Sequence, residues 1–258
     1  MKIPSFKFLV AASLLMIGME ASAQVDIGAR GGISIPKLSA GGNEKNPLNS
    51  GYSSRLGPDF GVFAEYHVSK LFSVQAMVEY SSQGGQKSGL QAYPTPDEMK
   101  PYFAPNPAPT YLYADFKSEA KLNYLMVPIL AKFGWDLGKQ SPWRLYVDAG
   151  PFFGFLLSAK QVTSGSSAVF LDPEGKQPIT AAGTPSFDAT KDIKDQLNTF
   201  NFGISGNIGL AYHFNRSQIF VEGGGNYGFL NIQKGHDNGK NNTGAATVVL
   251  GYAYRLGK

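Results

Sequence analysis

The chain has 258 residues, of which 16% are charged, 13% are aromatic and 31 are glycine. Soluble domains typically carry roughly 25% charged residues, and so low a share combined with many aromatics excludes a coiled coil and disfavours disorder. The absence of cysteine excludes disulfides and thiolate metal sites, and the formal net charge of +4 is too small to indicate nucleic-acid binding.

Residues 1–23 have the pattern of a cleavable signal peptide. Lys2 and Lys7 precede an apolar run at 8–19, and small residues follow up to Ala23. The apolar run is shorter than the about 20 residues that a membrane-spanning helix needs. We therefore predict an exported protein whose mature domain is 24–258.

Apolar residues alternate with polar or small residues in many segments after this signal. Between 59 and 68, for example, Phe60 and Val62 alternate with Asp59 and Gly61. A period of two residues predicts strands with one apolar face. Pro128 interrupts the fourth such segment and predicts a distortion there, because proline lacks a ladder donor. The eight predicted strands are 25–37, 57–68, 71–83, 118–133, 143–160, 199–214, 218–232 and 244–257.

Short and long connections alternate between these strands. The long connections are 38–56, 84–117, 161–198 and 233–243, whereas the other three are short. This asymmetry is typical of outer-membrane barrels, which have short periplasmic turns and longer extracellular loops. With eight strands, both termini are expected on the periplasmic side.

The sequence also predicts which strand face is inside. An eight-stranded barrel is only wide enough for its own side chains, which favours glycines and polar groups inside and large apolar residues outside, against lipid. The prediction is an all-β, eight-stranded, antiparallel, up-and-down transmembrane barrel. A soluble ligand-carrying barrel is the alternative, in which Phe60, Val62, Phe202 and Ile204 line an interior pocket.

Several segments resemble a known family. Residues 57–66 and 71–75 resemble the second hairpin of the PorT-like outer-membrane β-barrel proteins of Bacteroidetes, also called the porin family. Segments 123–128 and 146–151 are similar to parts of the family's fourth and fifth strands. The resemblance implies an outer-membrane barrel and little about activity. Residues 251–256 are similar to the signal that the barrel-insertion machinery reads, which implies this machinery as a partner during assembly.

The polar face carries charged residues of both signs. Buried charges must be paired, so we expect a salt-bridge network that fills the lumen and closes it to solutes. A narrow ion path is the alternative, although conduction favours a ring of one sign. The predicted network consists of Asp26, Arg30, Asp59, Glu65, His67, Glu79, Lys121, Arg144, Asp148, Glu222 and Arg255.

Catalytic and cofactor sites are not predicted. A lipid-modifying barrel enzyme needs a histidine with a serine and an acid at the lipid-facing rim. The alternation of inner and outer positions along the predicted strands instead places His67 and His213 inward. The G-x-G-x-x-G pattern at 223–228 continues into a strand, whereas a dinucleotide site requires a following helix. We therefore expect no catalytic residue, no cofactor and no metal.

The long connections offer the remaining functional signal. Prolines alternate with aromatics in 84–117, a composition that suits either a recognition loop for an extracellular partner or glycan, or a cap over the barrel mouth. The mixed-charge run at 188–195 predicts one helical turn. The expected function is a structural or surface-interaction role in contact with outer-membrane lipid, without catalysis. A small-solute channel and a lipid-modifying enzyme are the two alternatives.

Overall fold

A computed structural model describes residues 25–41, 46–235 and 239–256. The predicted signal peptide 1–23 and its cleavage site lie outside these residues. Each strand pairs antiparallel with its neighbour in sequence, and the last pairs with the first, which closes the barrel as predicted. The barrel strands are β1 (Val25–Pro36), β2 (Gly57–His67), β3 (Phe72–Lys87), β4 (Lys117–Asp136), β5 (Trp143–Ser164), β6 (Phe200–Phe214), β7 (Ser217–Gly228) and β8 (Gly244–Leu256).

The two ends of the barrel differ. Short turns at 68–71, 137–142 and 215–216 join strands at one end, here called the turn-side end. The long connections lie at the other, loop-side end, where β4 and β5 extend to 20 and 22 residues. Strand β3 also continues to Lys87, four residues beyond its predicted end, because it stays paired with β4.

The long connections contain regular structure that the alternation pattern did not predict. Residues Ala189–Asp192 pair with β5, and the turn expected in the mixed-charge run is a single 3₁₀ turn. No helix in the described ranges is long and apolar enough to cross a bilayer. The short loop strands are Ser39–Gly41, Leu90–Pro94, Tyr111–Asp115, Val169–Phe170, Ala189–Asp192 and Lys240–Asn242, and the 3₁₀ helices are Asp97–Phe103, Thr180–Ala182 and Lys194–Gln196.

The large apolar side chains point outward. Phe60, Val62 and Ile204 are 52%, 61% and 49% exposed, and Phe202 packs against Phe153 on the same outer surface. A soluble carrier would bury these four residues around its ligand, so the alternative of an interior apolar pocket is wrong. The outer surface instead matches the apolar band that a membrane barrel presents to lipid.

The interior is filled by side chains. One apolar cluster, which includes Leu122 and Phe152, lies toward the loop side. A second, which includes Met77 and Phe220, lies toward the turn side. Glycine makes this packing possible, since a Cβ at Gly251 would occupy the space of the Phe220 ring. The barrel is therefore packed with residues rather than open along its axis.

Strand β4 is irregular near its proline, as the sequence predicted. The β3–β4 ladder skips the two residues of β4 that include Pro128, and the β4–β5 register shifts between Asn123 and Tyr124. The inner face of β4 is also mostly apolar, with Leu122, Tyr124, Met126 and Leu130 all buried. The simple rule that the polar face points inward consequently fails on this strand.

Candidate functional site

Arg30 lies at the centre of the charged interior. Its side chain is 4% exposed, and its Nη2 donates to Glu79 Oε2 at 2.7 Å. Its Nη1 donates to Glu222 Oε1, and Asp59 Oδ1 lies 3.9 Å from Nη2. One guanidinium therefore holds together carboxylates from β2, β3 and β7. A planar guanidinium suits this role because its donors point in several fixed directions.

Glycines between the charged partners allow these contacts. Gly61 of β2 stands opposite both Arg30 and Glu79, so no side chain separates the two. Gly209 of β6 stands in the same way between Glu222 and Tyr146. The Tyr146 hydroxyl donates to Glu222 Oε2 at 2.9 Å across this gap. The glycine pattern thus places the ion pairs as well as relieving crowding.

Neutral donors also hold two carboxylates of the predicted network, Asp59 and Asp148. The Ser81 hydroxyl donates to Asp59 Oδ2 at 2.9 Å. The Asn207 Nδ2 donates to Asp148 Oδ1 at 2.7 Å, from the position directly opposite on β6. Both carboxylates are buried, and hydrogen bonds of this kind offset part of their desolvation.

A second ion pair lies closer to the turn side. Lys132 Nζ donates to Glu65 Oε2 at 2.8 Å and lies 4.0 Å from the centre of the Tyr146 ring. The Ser73 hydroxyl donates to the other oxygen, Glu65 Oε1, at 2.6 Å. Sequence reasoning missed Lys132, although its even position on β4 matches the buried Met126 and Leu130 of the same face.

The prediction that Lys121 faces the lumen is wrong. Its neighbours Ala120 and Leu122 are buried on the inner face of β4, whereas the Lys121 side chain is 42% exposed. Its Nζ lies 3.5 Å from Oε2 of Glu119, which shares the outer face of the strand with Lys121. The error comes from the apolar inner face of this strand, which reverses the usual distribution of polar residues.

Asp26 organises the turn-side mouth. It accepts from Arg255 Nε at 2.8 Å and from Gln218 Nε2 at 3.3 Å, and its Oδ2 lies 2.9 Å from His67 Nε2. Arg255 stands directly opposite Asp26 in the β1–β8 ladder, which explains this pair by register alone. His213 also lies at this mouth, on the inner face of β6.

Arg144 is separate from the central cluster. It donates to Asp136 Oδ1 at 2.7 Å and to the backbone carbonyl of Lys70 at the turn-side rim. The rim surrounds a cavity of about 540 Å³ that also contacts Lys132 and Arg255. The structure thus brings together the charges of β1, β2, β3 and β7 in mid-barrel, and leaves Arg144 at the mouth.

The described contacts at the turn-side mouth do not join Ser73 to His67 as a nucleophile to its base. The Ser73 hydroxyl donates to Glu65 rather than to a histidine, and His67 faces Asp26, whereas an activated serine needs a hydrogen bond to its base. In the described part of the chain, no three histidine or acidic side chains group in a way that could hold a metal ion. The glycines at 223–228 are extended strand residues of β7, without a following helix.

Solved barrel structures are similar to the chain over most of its length. The attachment invasion locus protein Ail of Yersinia pestis is 13% identical, with 92% of this chain and 100% of that chain covered and a TM-score of 0.36. The outer membrane protein OprG of Pseudomonas aeruginosa is 14% identical, with coverages of 90% and 96% and a TM-score of 0.39. A major outer membrane protein of Thermus thermophilus is 11% identical, with coverages of 92% and 100% and a TM-score of 0.45.

Sequence comparisons give a family assignment. No curated protein matches the chain significantly. The family model described as "Outer membrane protein beta-barrel domain" matches residues 20–234, which is most of the chain.

Proposed function

We propose a surface-interaction role for this chain, which belongs to the outer membrane protein β-barrel domain family and resides in an outer membrane. In the same proposal, side chains close the lumen of the barrel to solutes. In this proposal the loops contact the surroundings or a partner, and the barrel serves as a rigid anchor without catalysis. The observation that carries the proposal is the filled interior, in which Arg30 joins carboxylates of three other strands.

The interior charges support closure rather than conduction. Arg30, Glu79 and Glu222 are all buried and directly paired, so an ion in the lumen would have to break these pairs to pass. Separating a buried pair costs several kcal/mol because each charge is then uncompensated. The mixed signs also differ from the single-sign rings that favour permeation.

The loop-side end supports the surface role. Its long connections fold into small sheets, and strands from two different connections pair at Tyr113 and Phe170. Tyr102 is 71% exposed in the proline-rich connection, where an aromatic side chain is available to a partner. An ordered loop loses less conformational entropy on binding than a disordered one.

Several features of location belong to the same proposal. In this proposal the signal peptide directs export and is cleaved after Ala23, and the barrel-insertion machinery then assembles the mature domain. The short turns and both termini would lie in the periplasm. The segments at 57–66 and 123–128 that resemble PorT-like proteins support membership of that narrower group. Lipid contacts would then involve the outward apolar residues, such as Val62 and Ile204.

Planar-bilayer recording on the purified, refolded protein tests the closed barrel. We expect no steady unitary current from the wild type, because the central ion pairs block the lumen. An Arg30→Ala variant removes the central side chain and is the positive comparison, with currents expected to rise. A steady wild-type conductance that changes in Glu222→Gln would contradict closure and favour a small-solute channel. A mass change of lipid A in expressing cells, absent in the empty-vector strain, would instead favour a lipid-modifying enzyme.

A further inference from the structure

A second cavity lies at the loop-side end, far from the charged interior. It has a volume of about 280 Å³ and is here called the loop pocket. All four long connections contribute to it, through Tyr52, Tyr93, Gln196 and Gln233, and β5 contributes Gln161. The pocket therefore exists only when the separate connections fold together over the barrel.

One wall of the loop pocket consists of aromatic rings that pack on one another. The Tyr93 ring packs edge-on against Phe116 at 6.1 Å and against Phe187 at 5.4 Å, and the last two rings stack at 4.6 Å. Tyr52 forms part of the lining as well, and Lys87 Nζ lies 4.7 Å from the centre of its ring. Lys87 also donates to the carbonyl oxygens of Pro47 and Leu48, which holds this connection in place.

Aliphatic residues such as Leu48 and Ile193 also line the pocket, and its polar part is almost uncharged. The described lining residues include no carboxylate, and Lys191 is their single charged side chain. Gln91 Nε2 donates to the Phe116 carbonyl at 2.5 Å, and Gln233 Nε2 donates to Asn241 Oδ1 at 3.3 Å. The Oε1 atoms of both glutamines are acceptors that can take hydrogen bonds from the hydroxyls of a ligand.

We propose that the loop pocket binds a neutral saccharide. A sugar ring offers apolar C–H faces that pack on aromatic rings, and its hydroxyls both donate and accept, as side-chain amides do. The missing carboxylates argue against a cationic ligand, and a single exposed lysine is too little charge for a polyanion. At about 280 Å³ the pocket lies just below the range of about 300–1,000 Å³ that is typical of ligand pockets, which suits a single sugar unit rather than a long segment.

This inference deepens the proposed surface-interaction role and rests on it. Binding is measured by saturation-transfer NMR with glucose, galactose, mannose and N-acetylglucosamine as probes, and with glucuronate as the charged comparison. The protein is refolded in a zwitterionic detergent, because detergents with sugar headgroups would compete for the pocket. We expect saturable, millimolar binding of at least one neutral probe, as one small ligand in an open pocket provides few contacts.

Three variants distinguish the loop pocket from other surfaces. Tyr93→Ala removes the aromatic wall and is expected to abolish binding. Gln196→Ala, at an exposed edge of the pocket, is expected to weaken it about two- to tenfold, the effect of one hydrogen bond. Gln177→Ala is the matched control, since this exposed glutamine lies in the same connection as Gln196 but outside the pocket, and no change is expected. Heat-dependent migration on gels checks that each barrel is folded.

The outcomes are separable from those of the bilayer recording. Absence of saturable binding by every neutral probe, binding of glucuronate alone, or binding equally strong in Gln196→Ala and the wild type would overturn the saccharide pocket. If Tyr93→Ala does not fold, Gln196→Ala decides the question by itself. A silent bilayer record combined with no sugar binding would reject the pocket while leaving the closed barrel in place.

Discussion

Replacing Arg30 by methionine is the most direct test of the charged interior. Arg30 pairs with Glu79 and Glu222, and all three side chains are at most 4% exposed. Methionine has a similar length and no charge, so Arg30→Met removes the cation with little change in volume. Two buried carboxylates are then left without their common partner.

The magnitude follows from the burial of these groups. Removing one member of a buried ion pair costs about 3–5 kcal/mol, because the remaining charge is uncompensated. We expect Arg30→Met to lower the free energy of unfolding by at least this amount. The triple variant Arg30→Met/Glu79→Gln/Glu222→Gln should recover part of the loss, because neutral amides do not need a cation.

The assay is urea unfolding in lipid vesicles, followed by tryptophan fluorescence. Trp135 and Trp143 lie exposed on the outer surface near the turn-side end, so their emission reports release from lipid. Arg144→Met is the matched control, because the Arg144 side chain is 20% exposed and its partner Asp136 is 61% exposed, so the carboxylate left behind stays in contact with water. An exposed pair is worth about 0–1 kcal/mol, so the control is expected to change little.

Two results would refute the reasoning. The first is a loss of less than about 1 kcal/mol in Arg30→Met, well below the cost of an uncompensated buried charge. The second is an equal loss in Arg30→Met and Arg144→Met, which would mean that burial does not distinguish the two arginines. Either result would show that the central network contributes nothing specific to stability.

Three further predictions concern packing, lipid contact and pH. Gly209→Ala places a methyl group in the space of the Tyr146 ring and should destabilise the barrel by about 1–3 kcal/mol in the same urea assay. Ile208→Lys puts a charge on the outer surface near the middle of β6 and should cost about 2–4 kcal/mol in vesicles. The backbone N–H groups of Lys176 and then Gln177 hold the pKa of Asp172 below its ordinary value of 3.8. The stabilisation of this turn is therefore complete above that value and lost as the pH falls through the lower, folded-state pKa, which amide NMR shifts of Lys176 would report.

Each of these predictions has a control. Gly31→Ala faces outward, with the nearest heavy atom 3.8 Å from the added methyl, so it should be neutral; equal losses at both glycines would contradict the packing argument. Leu171→Lys lies in a long connection and should be tolerated, whereas a cost like that of Ile208→Lys would argue against lipid contact at β6. Asp172→Asn should abolish the pH-dependent shift, and its persistence would point to another group.

The sequence alone was sufficient for the barrel and for most of its inner face. A period of two residues depends only on neighbouring positions, so local alternation puts Phe60 and Val62 on one strand face, and the narrow lumen of an eight-stranded barrel favours that face outside. The alternation of short and long connections likewise needs no tertiary information. The same local rule placed Asp26, Arg30, Glu79 and Glu222 on the inner face.

Local alternation failed where the interior itself became apolar. On β4 the lumen is filled by Tyr124, Met126 and Leu130, so the polar face of this strand is partly the outer one. Lys121 was therefore assigned to the wrong side, and Lys132 was overlooked. The irregular pairing near Pro128 further obscured the phase in the sequence.

The choice of partners required the closed barrel. Arg30 and Glu222 are 192 residues apart in sequence and meet only because β1 pairs with β8 and β8 with β7. The gap at Gly61 that lets Arg30 reach Glu79 likewise depends on the register of three strands. Alternation specifies which way a side chain points, because that is a property of one strand. Which charges touch, and whether four connections enclose a pocket, is decided only when strand register and barrel curvature bring distant segments together.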